Sequence, residues 1–273
     1  MVTGGNMANK KVKQPELNQP QAFRKLRVYN LVMGSFHLAQ SILILFLSNS
    51  FSLPVTTNFI GGGPGGITFK PPEILFDLPI GPMVAIFLLL SAIAHFLLSA
   101  PGIFDWYKSN LSKGINYARW YEYALSSSVM IVLIAMLSGI YDIATLIAIF
   151  GANAAMNLFG LMMELHNQTT SKTNWLSYTF GCFAGFIPWV AISIYFFGAI
   201  SQASENIPTF VYFILPTLFV FFFSFALNMW LQYKKVGKWR DYLFGEKVYI
   251  FLSLTAKTAL AWQVFGGALA GGS

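Results

Sequence analysis

The chain has 273 residues, of which 56% are hydrophobic, 17% aromatic and only 10% charged, against about 25% charged in ordinary soluble domains. This excludes a soluble enzyme and points to an integral membrane protein. The net charge of +7 does not indicate nucleic acid, because the basic residues fall in short clusters beside apolar segments. One cysteine, Cys182, excludes an internal disulfide and a cysteine metal site, and no metal is expected.

In chain order, residues 1–27 form a mostly polar tail, and seven apolar segments follow at 28–50, 82–101, 115–138, 141–165, 175–201, 207–232 and 243–267. Each has the length of about 20 residues that spans a bilayer, so 28–267 reads as one all-α, seven-transmembrane-helix bundle with a short tail at 268–273. The first segment starts too far into the chain for a cleaved secretory signal. The long connection at 51–81 carries VTTNFI, GGGPGG and ITFK, two β-prone runs around a Gly/Pro turn. It predicts a β-hairpin, with a disordered glycine-rich loop as the alternative.

The lysines and arginines orient the bundle. Lys10, Lys11, Lys13, Arg24, Lys25 and Arg27 lie before the first segment. Lys108, Lys113, Lys172, Lys234, Lys235, Lys238 and Arg240 lie in connections on the same side, and Lys70 alone lies on the other. The positive-inside rule then puts the N-terminus in the cytoplasm and the C-terminus outside, in the cell membrane.

In the last segment Lys257 stands alone, with no charge in the nine residues before it and none after it. A buried ammonium at the centre of a membrane helix is costly and marks function. With Ser253 one turn before it, Lys257 reads as a covalent attachment point suited to a Schiff base. In the third segment, within NYARWYEYALSSS, Glu122 lies deep in a helix and Arg119 precedes it by one turn on the same face. Two readings fit: a buried Arg119–Glu122 pair that holds the helix in place, or Glu122 as the balance to a protonated Schiff base on Lys257, tuned by Arg119. Tyr123 and Ser126 fall on neighbouring faces, where they could line the same cavity.

These segments resemble the heliorhodopsins, retinal proteins of inverted topology, through SLTAKTALAWQVF, RWYEYALSSS, the long first loop and the charge asymmetry, over nearly the whole chain. The resemblance implies all-trans retinal bound covalently to Lys257 as a protonated Schiff base, Glu122 as counterion and Ser253 hydrogen-bonded nearby. It implies Asn153, Met156 and Gly160 as retinal-lining positions on the fourth helix and Phe222 on the sixth. It also implies a rhodopsin-like fold whose first loop is an extracellular hairpin contributing to a homodimer.

His37 and His95 lie at matching depth, about 9 to 14 Å from the cytoplasmic end, with Ser91, Gln40 and Asn116 able to join them and Arg119 near Glu122. They predict a polar cavity that accepts or stores the Schiff-base proton, histidine titrating near neutrality. Glu164, beside His166, either belongs to that polar region or caps the membrane surface, the second being favoured; Asp241, Glu246 and Lys247 read as interfacial, as do Trp106, Trp120, Trp175, Trp230 and Trp239. Trp189 and Trp262 lie deeper and are candidates to touch retinal. The outer half beyond Glu122 and Lys257 is apolar; Asp142 and Glu205 are too peripheral to complete a relay.

Three classes of function compete. A light sensor, signalling to an unknown cytoplasmic partner without pumping, fits the one-sided polar cluster best. A light-gated or light-driven ion transporter predicts light-dependent current. A non-pigmented transporter or membrane enzyme would need a second catalytic cluster, paired carboxylates or a His-rich metal motif, which the sequence lacks. The chain is therefore not expected to be an enzyme.

Overall fold

The computed structural model describes residues 19–203 and 211–269. Lys10, Lys11, Lys13, Glu205 and the end of the C-terminal tail lie outside the described residues. Seven helices are long and apolar enough to cross a membrane: α1 (Gln19–Leu47), α2 (Ile80–Ser99), α4 (Tyr117–Leu137), α5 (Ile143–His166), α6 (Leu176–Gln202), α7 (Val211–Tyr233) and α8 (Tyr242–Val264). In hydrocarbon every backbone polar group must be satisfied internally, which is why these runs form continuous helices. Side chains take over at several ends: Asn116 accepts from Arg119 N at α4, Asp142 from Thr145 N at α5 and Asp241 from Leu243 N at α8.

An eighth helix, α3 (Ile103–Leu111), lies between α2 and α4, where the sequence reading saw only a connection. Pro101 and Gly102, at φ 80°, separate it from α2. Its Phe104, Tyr107 and Leu111 are buried at helical spacing, while Asp105 and Lys108 pair at 2.7 Å outside. Nine residues carrying Asp, Lys and Asn are too few and too polar to register as an apolar segment.

The long first connection is a hairpin, not a disordered loop. Strand β1 (Ser52–Thr57) pairs antiparallel with β4 (Glu73–Pro79), and further out β2 (Ile60–Gly63) pairs with β3 (Gly66–Phe69) around Pro64 and Gly65. Its base is tied to the bundle: Val55 is buried and Thr56 N donates to Tyr141 O at 2.9 Å. The α4–α5 corner that receives it is closed by Gly139 at φ 103°, with Ile140 N bonded back to Ala135 O.

The buried interior differs between its two ends. Towards the hairpin it is mainly apolar, packed by Ile44, Val84, Phe87, Leu88, Ile131 and Met136 among others. Towards the α3 end, Trp120, Tyr123 and Tyr249 pack around buried polar and charged side chains. The change from one to the other occurs at the level of Lys257.

Candidate functional site

Lys257, on α8, is 2% exposed. Its Nζ donates to Glu122 Oε1 on α4 at 2.9 Å and to Ser253 Oγ, one turn earlier on α8, at 3.1 Å. Ser91 of α2 donates to the same Glu122 oxygen at 2.6 Å, and Ser126, fully buried one turn beyond Glu122, sits beside the carboxylate. A lone ammonium or carboxylate here would carry a large desolvation cost, and the pairing plus two hydroxyls offsets it. Three helices are thereby fixed around one nitrogen.

From that nitrogen an apolar corridor runs between α4, α5, α6 and α7. Its near chamber is lined by Lys257, Ser253, Tyr123 and Met130, and its far chamber by Trp120, Gly160, Gly181, Gly185 and Trp189. Met156, Asn157, Phe222 and Phe225 line both. The far end exists because glycine stands where a side chain cannot: a Cβ on Gly160 would collide with the six-membered ring of Trp120, and one on Gly185 with the Met156 thioether. An amine at one end of a slot walled by aromatics and methionine suits a long apolar aldehyde. The residues present therefore fit retinal.

Of the positions expected to line the pocket, the structure places Tyr123, Ser253, Met156, Gly160 and Phe222 along the corridor. Three lie elsewhere, Ser126 being the one beside the Glu122 carboxylate. Asn153 is buried below the corridor, donating to Ser127 Oγ at 2.8 Å and Ser128 Oγ at 3.0 Å, and Asn157, one turn on, is the amide that lines both chambers. Trp262 is half-buried against Phe265 and lines neither chamber, whereas Trp189 lines the far one. Trp120 corrects the interfacial expectation: it is 5% exposed and forms a wall of the corridor.

On the α3 side of the ion pair, a second cavity gathers Ser91, His95, Asn116, Arg119, Glu122 and Glu246. His95 Nδ1 is 2.7 Å from Asn30 Oδ1, and the His37 ring stacks on it at 5.6 Å between centroids and 15° between planes. Gln40 is not brought into this group; its side-chain amide donates to Phe36 O of its own helix.

Arg119 does not pair with Glu122. Its guanidinium bridges Glu164 of α5 and Glu246 of α8, both 2% exposed or less, so the intrahelical pair, one of the two readings of Arg119, is absent and both glutamates are core residues, not interfacial ones. The reason is tertiary: α5 and α8 flank α4 at this level and present carboxylates closer than the neighbouring turn can. Three of the four carboxylate oxygens receive further donors. Tyr107 OH and Asn116 Nδ2 reach Glu246 Oε1 at 2.9 and 2.7 Å. Asn116 N and Trp120 Nε1 reach Glu164 Oε2 at 2.9 and 2.7 Å, and Tyr242 OH reaches Oε1 at 2.9 Å. The cluster thus sets two buried carboxyl groups against one guanidinium. Burial, then the Glu246 charge, push the Tyr107 phenol well above its usual range.

The Heliorhodopsin family model matches residues 26–269 of the chain. No curated protein matches it.

Proposed function

The chain belongs to the heliorhodopsin family, and on that premise we propose that it senses light through all-trans retinal held on Lys257 as a protonated Schiff base, with Glu122 as counterion. Family membership makes it a retinal-binding, light-sensing rhodopsin, and its seven apolar helices make it a multi-pass membrane protein. The observation that carries the finer reading is the Lys257–Glu122 pair at 2.9 Å at the closed end of the glycine-opened corridor.

Bound there, retinal supplies a polyene that absorbs visible light and changes shape at one double bond. The chain's residues do the rest. Of the three protons on the Lys257 ammonium, one remains on the nitrogen after the amine condenses with an aldehyde and water leaves. Glu122 Oε1 and Ser253 Oγ, at 2.9 and 3.1 Å, compete for that N–H. Ser91 holds the Glu122 oxygen and keeps its charge in place. Met156, Phe222 and Trp189 would hold the apolar length, and Trp120 over Gly160 would wall it.

A proton displaced from the nitrogen meets its largest group of acceptors on one side. The cavity with Ser91 and His95, and His37 stacked behind, lies toward α3, while the opposite side is packed by Phe87, Leu88 and Ile131. This supports local proton transfer and a conformational signal rather than pumping. The basic residues favour a cytoplasmic α3 end and an extracellular hairpin, whose exposed Ile60, Ile67, Ile74 and Phe76 suit a homodimer face; the signal would leave to an unknown cytoplasmic partner.

The test is the visible spectrum of the purified chain with all-trans retinal, for the unmodified protein and Lys257→Ala, followed by illumination of cells while external pH is recorded. A band lost in Lys257→Ala with no sustained pH change supports the sensor. No band returns Lys257 to a buried ion-pair lysine, and a retinal-dependent pH change abolished by a protonophore makes the chain a transporter.

A further inference from the structure

We propose that the cleft between the first turns of α1 and helix α3 is a binding site for the phosphate of an anionic membrane lipid. The cleft has a volume of about 580 Å³ and is lined by Arg24, Arg27, Lys108 and Ser109, with the carboxylate of Asp105 among them, over a floor of Phe23 and Phe104. It is separate from the corridor and from the polar cavity, and the site does not depend on retinal.

The cations are held ready. Arg27 Nε donates to Ser99 O at 2.8 Å and its guanidinium lies 5.0 Å from the Phe104 ring centroid. Lys108 Nζ lies 5.3 Å from the same centroid, so one buried ring sets the spacing of two positive groups. Charge does not balance within the protein: Lys108 is paired with Asp105 at 2.7 Å, and neither Arg24 nor Arg27 forms an ion pair among the described residues. The terminal nitrogens of Arg27 make no hydrogen bond among the described residues and suit a planar, two-point contact, the geometry in which guanidinium binds phosphate oxygens.

The position selects a lipid over a soluble anion. Val28, Leu31 and Val32 are exposed apolar residues that begin immediately after Arg27 on α1, Leu97 is exposed at the end of α2, and Trp106 and Ile103 are exposed on α3. Acyl chains have a bed directly below the cations, and an exposed tryptophan on a short amphipathic helix sits at headgroup level. Basic groups near such a surface attract anionic headgroups by about 1 kcal/mol each.

The experiment is native mass spectrometry of the full chain in detergent after incubation with phosphatidylglycerol or phosphatidylcholine of identical acyl chains, with and without millimolar inorganic phosphate. Preferential retention of one phosphatidylglycerol, unaffected by phosphate, is expected. Arg24→Gln/Lys108→Gln should retain roughly 30-fold less, two surface cations being removed. Both residues are solvent-facing and Arg27 is left intact, so the helical circular dichroism should not change; Arg24→Gln alone gives a smaller loss if the double variant misfolds. Equal retention of the two lipids, or unchanged retention in the variants, overturns the site. Displacement of the lipid by phosphate overturns the lipid assignment in favour of a soluble anion.

Discussion

The indole of Trp120 faces two ways: its Nε1 donates to Glu164 Oε2 at 2.7 Å, and its six-membered ring lies against Gly160, where no Cβ fits. One side chain thus closes the apolar corridor and satisfies a buried carboxylate of the Arg119 cluster. Position of the ring and charge of the cluster are linked through it, so a change of shape in the corridor is felt at the charged cluster without any further moving part.

Gly160→Ala should force that ring to move. Overpacking of this kind costs about 1–3 kcal/mol, and here the shift also strains the Trp120–Glu164 hydrogen bond. Thermal unfolding should show the loss, and the absorption maximum with retinal should move. A Gly160→Ala protein with unchanged stability and spectrum would mean that the ring is not held as described.

Arg119→Met leaves Glu164 and Glu246 buried together with no cation. Removing one partner of a buried charge cluster costs about 3–5 kcal/mol. Arg119→Met/Glu164→Gln/Glu246→Gln should recover most of the loss, because the uncompensated charges are gone and amides of the same shape remain. Unfolding measured in detergent decides it: equal stability of the single and triple variants would show that the glutamates are not ionised in the folded protein.

The contrast between Glu122 and these two glutamates shows what the sequence can carry. Seven spans are legible because hydropathy over 20 residues needs no tertiary knowledge, and the hairpin because Gly and Pro punctuate β-prone runs. Lys257 and Glu122 are legible as isolated charges in apolar surroundings. Glu164 and Glu246 sit within a turn or two of polar residues, so their segments resemble membrane borders, and only the packing of α5 and α8 on α4 makes them core. Asn153 and Asn157 share one helix face and differ by one turn; periodicity gives the face, while the depth of the corridor comes from neighbouring helices. Helix α3 is invisible because its buried face is only three residues long.

Glu122→Gln removes the negative charge beside the Lys257 nitrogen while keeping the side-chain volume. A counterion stabilises positive charge on the nitrogen most in the ground state, so its loss should move the visible band to longer wavelength or, if the nitrogen loses its proton, abolish it at neutral pH. Ser91→Ala should move the band in the same direction by less, since it removes one hydrogen bond from a charge that remains. Absorption spectra of both variants test this order; an unchanged band in Glu122→Gln would remove Glu122 from the counterion role.

Tyr107 gives a pH signature outside the membrane spans. Its phenol is buried and donates to Glu246 Oε1 at 2.9 Å, which raises its pKa well above the usual value, whereas in the unfolded chain it titrates near 10. Below about pH 10 both states keep the proton and the contribution to stability is constant. Above it the unfolded chain has released the proton and the folded one has not, so stability falls as pH rises. Tyr107→Phe loses the hydrogen bond to a charged acceptor, costing about 1.5–3 kcal/mol, but it also loses that alkaline slope. Melting temperatures should therefore differ most between pH 8 and 9.5 and converge towards pH 11. A gap that stays constant across this range would show that the phenol titrates alike in the folded and unfolded chains, and that its bond to Glu246 does not hold the proton.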